Sequence, residues 1–443
     1  MKTVAYKLLP VILVAVISPT LPARTEEPGA KPAPPDANEL RRQANDLWHT
    51  KKDYNGALAA FNQAVDAAPN DADIRLQRAY FFEYVSGIVT KDEVEKFKDL
   101  SRQDYQKIAT DAPDSMRAGV ARDGLTRLSG KTLLTPAAVK CPSEAVDAYG
   151  RAESLLSADK FAESISQYEK ATEACPSAAD FWLGFADAYY GLKQYAKAKE
   201  LFRRALEADP WSRMGHRFLA DAEGHLNNGD AAVHEAALAV VSDPVYEAAW
   251  SSLRNYANVT GREWKRVYGV KTDVTATDST KGTGKDITIN VPMTEPQDAT
   301  TPGHKHRKPK AGTKSKESNP DDLGWMSYGL FKAGAMSGSV TEQDASGKPV
   351  EKKIDPSTLT ALDIERIGVR GALDVAGEVA ASTSDTPGPF WAMMMRADKA
   401  GFLDEAIFLH MLDEPLAKEY PAFREKNATK LVEYLETMIV PKS

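Results

Sequence analysis

The chain has 443 residues, 56 Lys or Arg against 63 Asp or Glu, a net charge of −7 and only two cysteines. That length predicts two or three domains, and a hydrophobic content of 42% supplies a packed core, which excludes a wholly disordered chain. The mildly acidic balance argues against nucleic acid as the main partner, because phosphate binding needs a dominant basic face. Two cysteines exclude a disulfide-dense scaffold and any Cys₄ zinc site.

Residues 1–23 read as a secretory signal: Lys2 and Lys7 form a basic start, residues 8–17 an apolar stretch, and residues 18–23 a small-residue end. An apolar run of about ten residues is too short to cross a hydrocarbon layer of roughly 30 Å, so no transmembrane helix is expected in the mature chain. The expected address is the periplasm or the extracellular space. Cleavage after Ala23 removes two lysines and no acid, which leaves a net charge of −9. Residues 24–37 are rich in proline and charge and form a tether with no core to bury.

Pro142, Pro176, Pro210 and Pro244 are spaced by 34 residues. Ala152, Ala186 and Ala220 keep the same period, as do Tyr168 with Phe202, and Ala171 with Ala205 and Ala239. Small residues let two antiparallel helices approach, aromatics fill the space between pairs, and proline ends the second helix before the next begins. Residues 179–212 carry the full pattern in Trp182, Ala186, Tyr189, Tyr195, Ala198, Phe202, Ala205 and Pro210. Residues 38–71 match through Trp48, Tyr54, Ala57, Phe61, Ala64 and Pro69. Residues 145–178 are a third unit, and 213–246 a fourth in which Glu223 and Ala236 replace large residues. This pattern resembles the tetratricopeptide repeat, a helix–turn–helix unit that stacks into a solenoid.

The expected fold is therefore mainly α. A repeat solenoid with a capping helix spans 38–266, a β-hairpin 267–292, a basic linker 293–321 with no apolar periodicity, and a C-terminal helical domain 322–443. The hairpin rests on the Val, Ile and Thr alternation of 267–275 and 286–291. Between 72 and 140 the repeat pattern loosens, which predicts an insertion and a shortened unit.

Candidate chemistry is sparse. Gly130-Lys131-Thr132 lacks the earlier glycine of a phosphate-binding loop, and His234 has Leu238, not histidine, four residues on. His304 and His306 sit in the basic run 304–316, which holds six Lys or Arg and no acid. That run suits weak contact with an anionic surface. Met393 to Met395 read as core. No catalytic residue, metal site or cofactor is expected. Cys141 and Cys175 stand one period apart, each followed by Pro-Ser. Antiparallel helices bring the start of a unit's first helix beside the end of its second, so a disulfide closing a loop of about 35 residues is expected.

The resemblance implies that the first helix of each unit lines an inner groove. By period, its inward residues are Tyr149, Glu153, Leu183, Asp187, Tyr190, Arg217, Asp221 and His225. Aromatic residues with an acidic rim suit an extended or helical protein segment bearing apolar and basic side chains. Glu153 and Asp187 stand where a carboxylate clamp needs asparagine, which disfavours capture of a peptide's C-terminus. The leading expectation is a non-enzymatic, exported scaffold that binds a protein or peptide. The alternative makes the repeats a docking arm for an enzymatic or glycan-binding C-terminal domain, with a pocket around Asp363, Glu365, Arg366 and Arg370.

Overall fold

A computed structural model of the protein describes residues 36–111, 116–129, 134, 139–267, 273–278, 285–290, 322–343, 349–383 and 387–442. The expected signal, most of the tether and the basic linker lie outside the described residues. The chain forms two compact units, residues 1–131 with 140–194, and residues 132–139 with 195–443.

The first unit begins with α1 (Ala37–Asn45), a π-helical turn (Asp46–Thr50) and α2 (Tyr54–Ala67). Asp36 caps α1 and Asp53 caps α2 through their side chains, so each helix starts where a carboxylate meets free backbone amides. Ala57, Ala60, Phe61 and Ala64 of α2 are buried. Trp48, Phe61, Phe81, Phe82 and Phe97 share one core. Three helices follow in the stretch of loosened pattern: α3 (Ala72–Ser86), α4 (Lys91–Asp111) and α5 (Met116–Leu128). Asp104 of α4 is 1% exposed and accepts from Arg75 at 2.8 Å and from Arg78 at 2.7 and 2.8 Å. Two guanidinium groups offset the cost of burying that carboxylate. The unit closes with α6 (Ser143–Ser157), α7 (Phe161–Ala174) and α8 (Ala179–Gly191). The end of α1 meets the end of α6, where Arg41 donates to Asp159 at 2.9 Å and Asn45 to the carbonyl of Ser157 at 3.1 Å.

The second unit opens with α9 (Tyr195–Ala208), α10 (Arg213–His225), α11 (Gly229–Ser242) and α12 (Glu247–Val259). Helix α11 buries Ala232, Val233, Ala236, Ala237, Ala239, Val240 and Val241, because its neighbours cover both flanks. The antiparallel hairpin of β1 (Asp273–Asp278) and β2 (Lys285–Asn290) pairs Asp273 with Asn290 and Asp278 with Lys285. The described part of β1 overlaps the end of the expected 267–275 and runs on to Asp278, while residues 268–272 lie outside the described residues. Residues 262–267 instead run as irregular chain beside the C-terminus, with the Lys265 amide donating to the Ile439 carbonyl at 2.9 Å.

The C-terminal region is helical: α13 (Asp322–Ser337), α14 (Ala361–Thr383), α15 (Pro389–Lys399), α16 (Leu403–Met411) and α17 (Glu414–Tyr434). It also contains a second hairpin, β3 (Ser339–Gln343) with β4 (Pro349–Lys353), which the helical reading of this region missed. Helices α13 and α14 pack through glycines: a Cβ on Gly371 would meet the ring of Phe331, and one on Gly368 the ring of Tyr328. Thr360 and Asp363 form a reciprocal cap on α14, each side chain accepting from the other's amide at 3.1 Å. Helix α17 lies on α11. Tyr420 donates to the carbonyl of Val241 at 2.6 Å, and Arg424 to that of Ser242 at 2.6 Å.

Candidate interaction face

Tyr149 and Glu153 lie on α6, Leu183, Asp187 and Tyr190 on α8, and Arg217, Asp221 and His225 on α10. All eight expected groove residues are thus on first helices, five in the first unit and three in the second.

In the first unit the Tyr149 ring stacks on Phe181 with centroids 4.5 Å apart. Tyr168 donates to Glu153 at 2.6 Å, and Tyr149 also bonds that carboxylate. Burial drives the Tyr149 and Tyr168 hydroxyls well above their ordinary range, and the charge of Glu153 adds to it. Burial raises Glu153 as well, against the two tyrosine bonds that favour its ionised form, and the charge of Asp180 pushes the same way as burial. Asp187 and Tyr190 are half-buried on the following helix. The result is a ring-lined, electronegative face. Leu183 departs from the expected open groove, because at 4% exposure it packs inward and offers no surface.

In the second unit Arg217 also departs from that expectation. It is 7% exposed, with its guanidinium 4.3 Å from the Phe218 centroid and 3.9 Å from Asp221. Asp221 accepts from Tyr256 at 2.8 Å, and His225 stacks on Tyr195 at 4.2 Å. Glu223, which broke the aromatic pattern, is 2% exposed and ion-paired to Lys199 at 2.7 Å. Burial opposes its charge, but Lys199 and Asn228 hold its carboxyl below the usual range.

The residues named for a C-terminal pocket are used in packing. Arg366 bonds Asp404 at 2.9 and 3.0 Å and Asp363 at 2.8 Å, and Arg370 lies 3.7 Å from Asp398. Glu365 is buried beside Lys332 and accepts from Tyr328 at 2.5 Å. His234 is exposed and meets Glu436 of the C-terminal segment at 2.9 Å. Met393 and Met394 are buried. Gly130, Lys131, Thr132, His304 and His306 lie outside the described residues. Among the described residues, no group of three or more His, Cys, Asp or Glu is placed to hold a metal ion, and no helix is long and apolar enough to cross a membrane.

Cys141 and Cys175 form a disulfide with α-carbons 5.6 Å apart. Sequence reasoning missed a turn signature. Asp159, Lys193, Asn227 and Gly261 all have positive φ, between 60° and 71°, and all stand 34 residues apart. The first three lie between the first and second helix of a pair, and Gly261 holds the equivalent place after α12; the only sequence sign is the period itself.

Paired antiparallel helices repeating every 34 residues define a helical-repeat protein. The tetratricopeptide-repeat family model matches residues 149–213 and 183–251, and that stretch is built of tetratricopeptide repeats. Among solved structures, the chain is similar to the first TPR of Spaghetti (RPAP3) bound to HSP90 peptide SRMEEVD. Identity there is 19%, coverage 27% of this chain and 94% of that one, and the TM-score 0.26. It is similar to the TPR2AB-domain:pHSP90 complex of yeast Sti1 at 15% identity, covering 50% and 96%, with TM-score 0.25. It is also similar to MamA from Desulfovibrio magneticus RS-1 at 17% identity, covering 46% and 93%, with TM-score 0.21. No curated protein matches.

Proposed function

We propose that the chain is an exported, non-enzymatic scaffold that binds a protein or peptide segment on the first-helix faces of its repeats. The observation that carries this reading is the face of α6 and α8, where Tyr149 and, from beneath, the buried Tyr168 of α7 bond the Glu153 carboxylate and Asp187 and Tyr190 stand half-buried beside them. Such a face accepts an apolar ring against the partly exposed Tyr149 and Tyr190 and a basic group against the carboxylates. The signal-like residues 1–23 support export, and the basic run 304–316 supports a weak accessory contact with an anionic surface.

Fluorescence polarisation against a peptide library tests the reading. Peptides combining Lys or Arg with an aromatic residue are expected to bind best. Asp187→Lys with Tyr190→Ala should remove binding while circular dichroism shows the helices retained. Binding that persists in this variant would exclude the face.

A further inference from the structure

Four inter-repeat turns share one fastening. The proline carbonyl accepts an N–H from the side chain six residues later: Pro69 from Arg75 at 2.8 Å, Pro176 from Trp182 at 2.8 Å, Pro210 from His216 at 3.1 Å, and Pro244 from Trp250 at 2.8 Å. At Pro142 the sixth residue is Ala148, which has no donor. Helix α6 starts directly after that proline, whose carbonyl takes the amides of Ala145 and Val146 at 3.1 and 3.2 Å. The residue before the proline differs too. At 209 and 243 it is aspartate, whose carboxylate accepts from Trp211 at 3.1 Å and from Val245 at 3.2 Å. At 141 and 175, the two turns that bound the α6–α7 hairpin, it is cysteine.

The packing there is also thin. Cys175 is buried with Ala145, Ala148, Ala171, Ala178 and Phe181, against Cys141 and Tyr149. Alanines bury little apolar area, so this end of the hairpin gains less from the hydrophobic effect than the Pro244 turn, where Trp250 is fully buried. We propose that the Cys141–Cys175 bridge stands in for the carbonyl brace missing at Pro142 and for the turn aspartates missing at 141 and 175, making the order of residues 143–174, and the placement of Tyr149 and Glu153, conditional on oxidation. Cys141 is partly exposed, so a thiolate can reach it. A dithiol reductant attacks one sulfur, the S–S bond breaks, and a mixed disulfide forms. The second reductant thiol displaces it, leaving two cysteine thiols and a cyclic disulfide, with two electrons and two protons transferred. The hairpin then keeps its helices but loses its only covalent tie between the α6 start and the α7 end.

Hydrogen exchange read by mass spectrometry on the full chain, with and without dithiothreitol, tests this. Amides of α6 and α7 should exchange roughly 100-fold faster after reduction, the scale of the loop-closure effect of such a bridge, while those of α10 and α11 stay unchanged. Cys141→Ser with Cys175→Ser should reproduce the reduced pattern and show no further response to the reductant. Unchanged protection in α6 and α7 overturns the proposal, and so does a uniform loss across both units. No ligand enters either readout, so the result is independent of whether the α6–α8 face binds a peptide.

Discussion

The indole N–H of Trp250 donates to the carbonyl of Pro244, six residues earlier and 2.8 Å away, and the bond is buried. A helix leaves its last carbonyls without internal partners, and here the next helix supplies the donor from its own first turns. The Arg266 guanidinium, 3.6 Å from the Trp250 ring centroid, closes the other side of the indole. One side chain thus joins a helix end, a turn and the chain that follows the repeats.

Trp250→Phe retains most of the apolar area and removes the donor, so the Pro244 carbonyl stays buried without that partner. The expected cost is about 1–3 kcal/mol. Trp182→Phe deletes the equivalent bond where it is exposed to solvent, and water can replace it, so less than about 1 kcal/mol is expected. Urea denaturation of the two variants should show that order, and equal losses would contradict a role for burial in the brace.

The positive-φ turn position offers a stabilising change. Lys193 holds φ 60° with an exposed side chain, a conformation that costs a residue bearing a Cβ about 1–2 kcal/mol. Lys193→Gly relieves that cost against glycine's larger unfolded-state entropy, for an expected net gain of about 0.5–1 kcal/mol. Gly261 has φ 71° with open space around it, so Gly261→Ala should cost about 1 kcal/mol through the backbone alone. Calorimetric Tm values moving in opposite directions for the two variants would bear out the pair.

Histidines give the stability a pH slope. The half-buried His410 packs against Tyr434, which it meets at 2.8 Å, and desolvation followed by the charge of Arg266 holds it well below its ordinary value. Burial, with Lys52 nearby, brings His49 down to about 4. In both cases the unfolded chain takes up a proton near pH 6.5 that the native state refuses, so stability falls as pH drops below about 6.5. His234 has the opposite sign. Its bond to Glu436 raises it, so its contribution is present below about pH 6.5 and fades as pH rises through its higher native value. His234→Gln should therefore lose more stability than the parent between about pH 7.5 and pH 5. Urea midpoints at the two pH values check this, and a smaller loss in the variant would break the assigned pairing.

Much of the repeat region was legible because one period governs both its turns and its core. Pro142, Pro176, Pro210 and Pro244 mark the ends of pairs, and Ala152, Ala186 and Ala220 are all fully buried. The same period put Cys141 and Cys175 together, because registered positions at successive turns are neighbours. Burial within a face was less readable. Leu183 and Arg217 share a repeat position with Tyr149, yet the tyrosine is partly exposed and the other two are buried. Spacing assigns a residue to a helix face, but the neighbouring side chains decide how far it sinks. The β3–β4 hairpin was hidden for another reason. Ser339–Gln343 and Pro349–Lys353 have few apolar residues, so they present no period-two signal.

The docking of α17 on α11 left no trace in the sequence, since it depends on side chains about 180 residues away in the chain from the carbonyls they meet. Tyr420 is fully buried, and burial lifts its hydroxyl well above the ordinary range, so it stays a donor to Val241 at every pH of interest. Arg424 places its charge at the carbonyl end of α11, where the helix dipole favours a cation, and lies 4.3 Å from the Trp211 ring centroid. Burial lowers the Arg424 guanidinium from its ordinary value, which marks the desolvation that these contacts offset. Tyr420→Phe should cost about 1–3 kcal/mol, because the Val241 carbonyl loses its buried donor without a change in packing. Arg424→Met should cost a similar amount. Both donors hold one helix turn, so the double variant should depart from additivity by about 0.5–3 kcal/mol. A double-mutant cycle in urea measures that coupling. Strict additivity would mean that the two contacts act independently and that the last turn of α11 is not the unit they jointly secure.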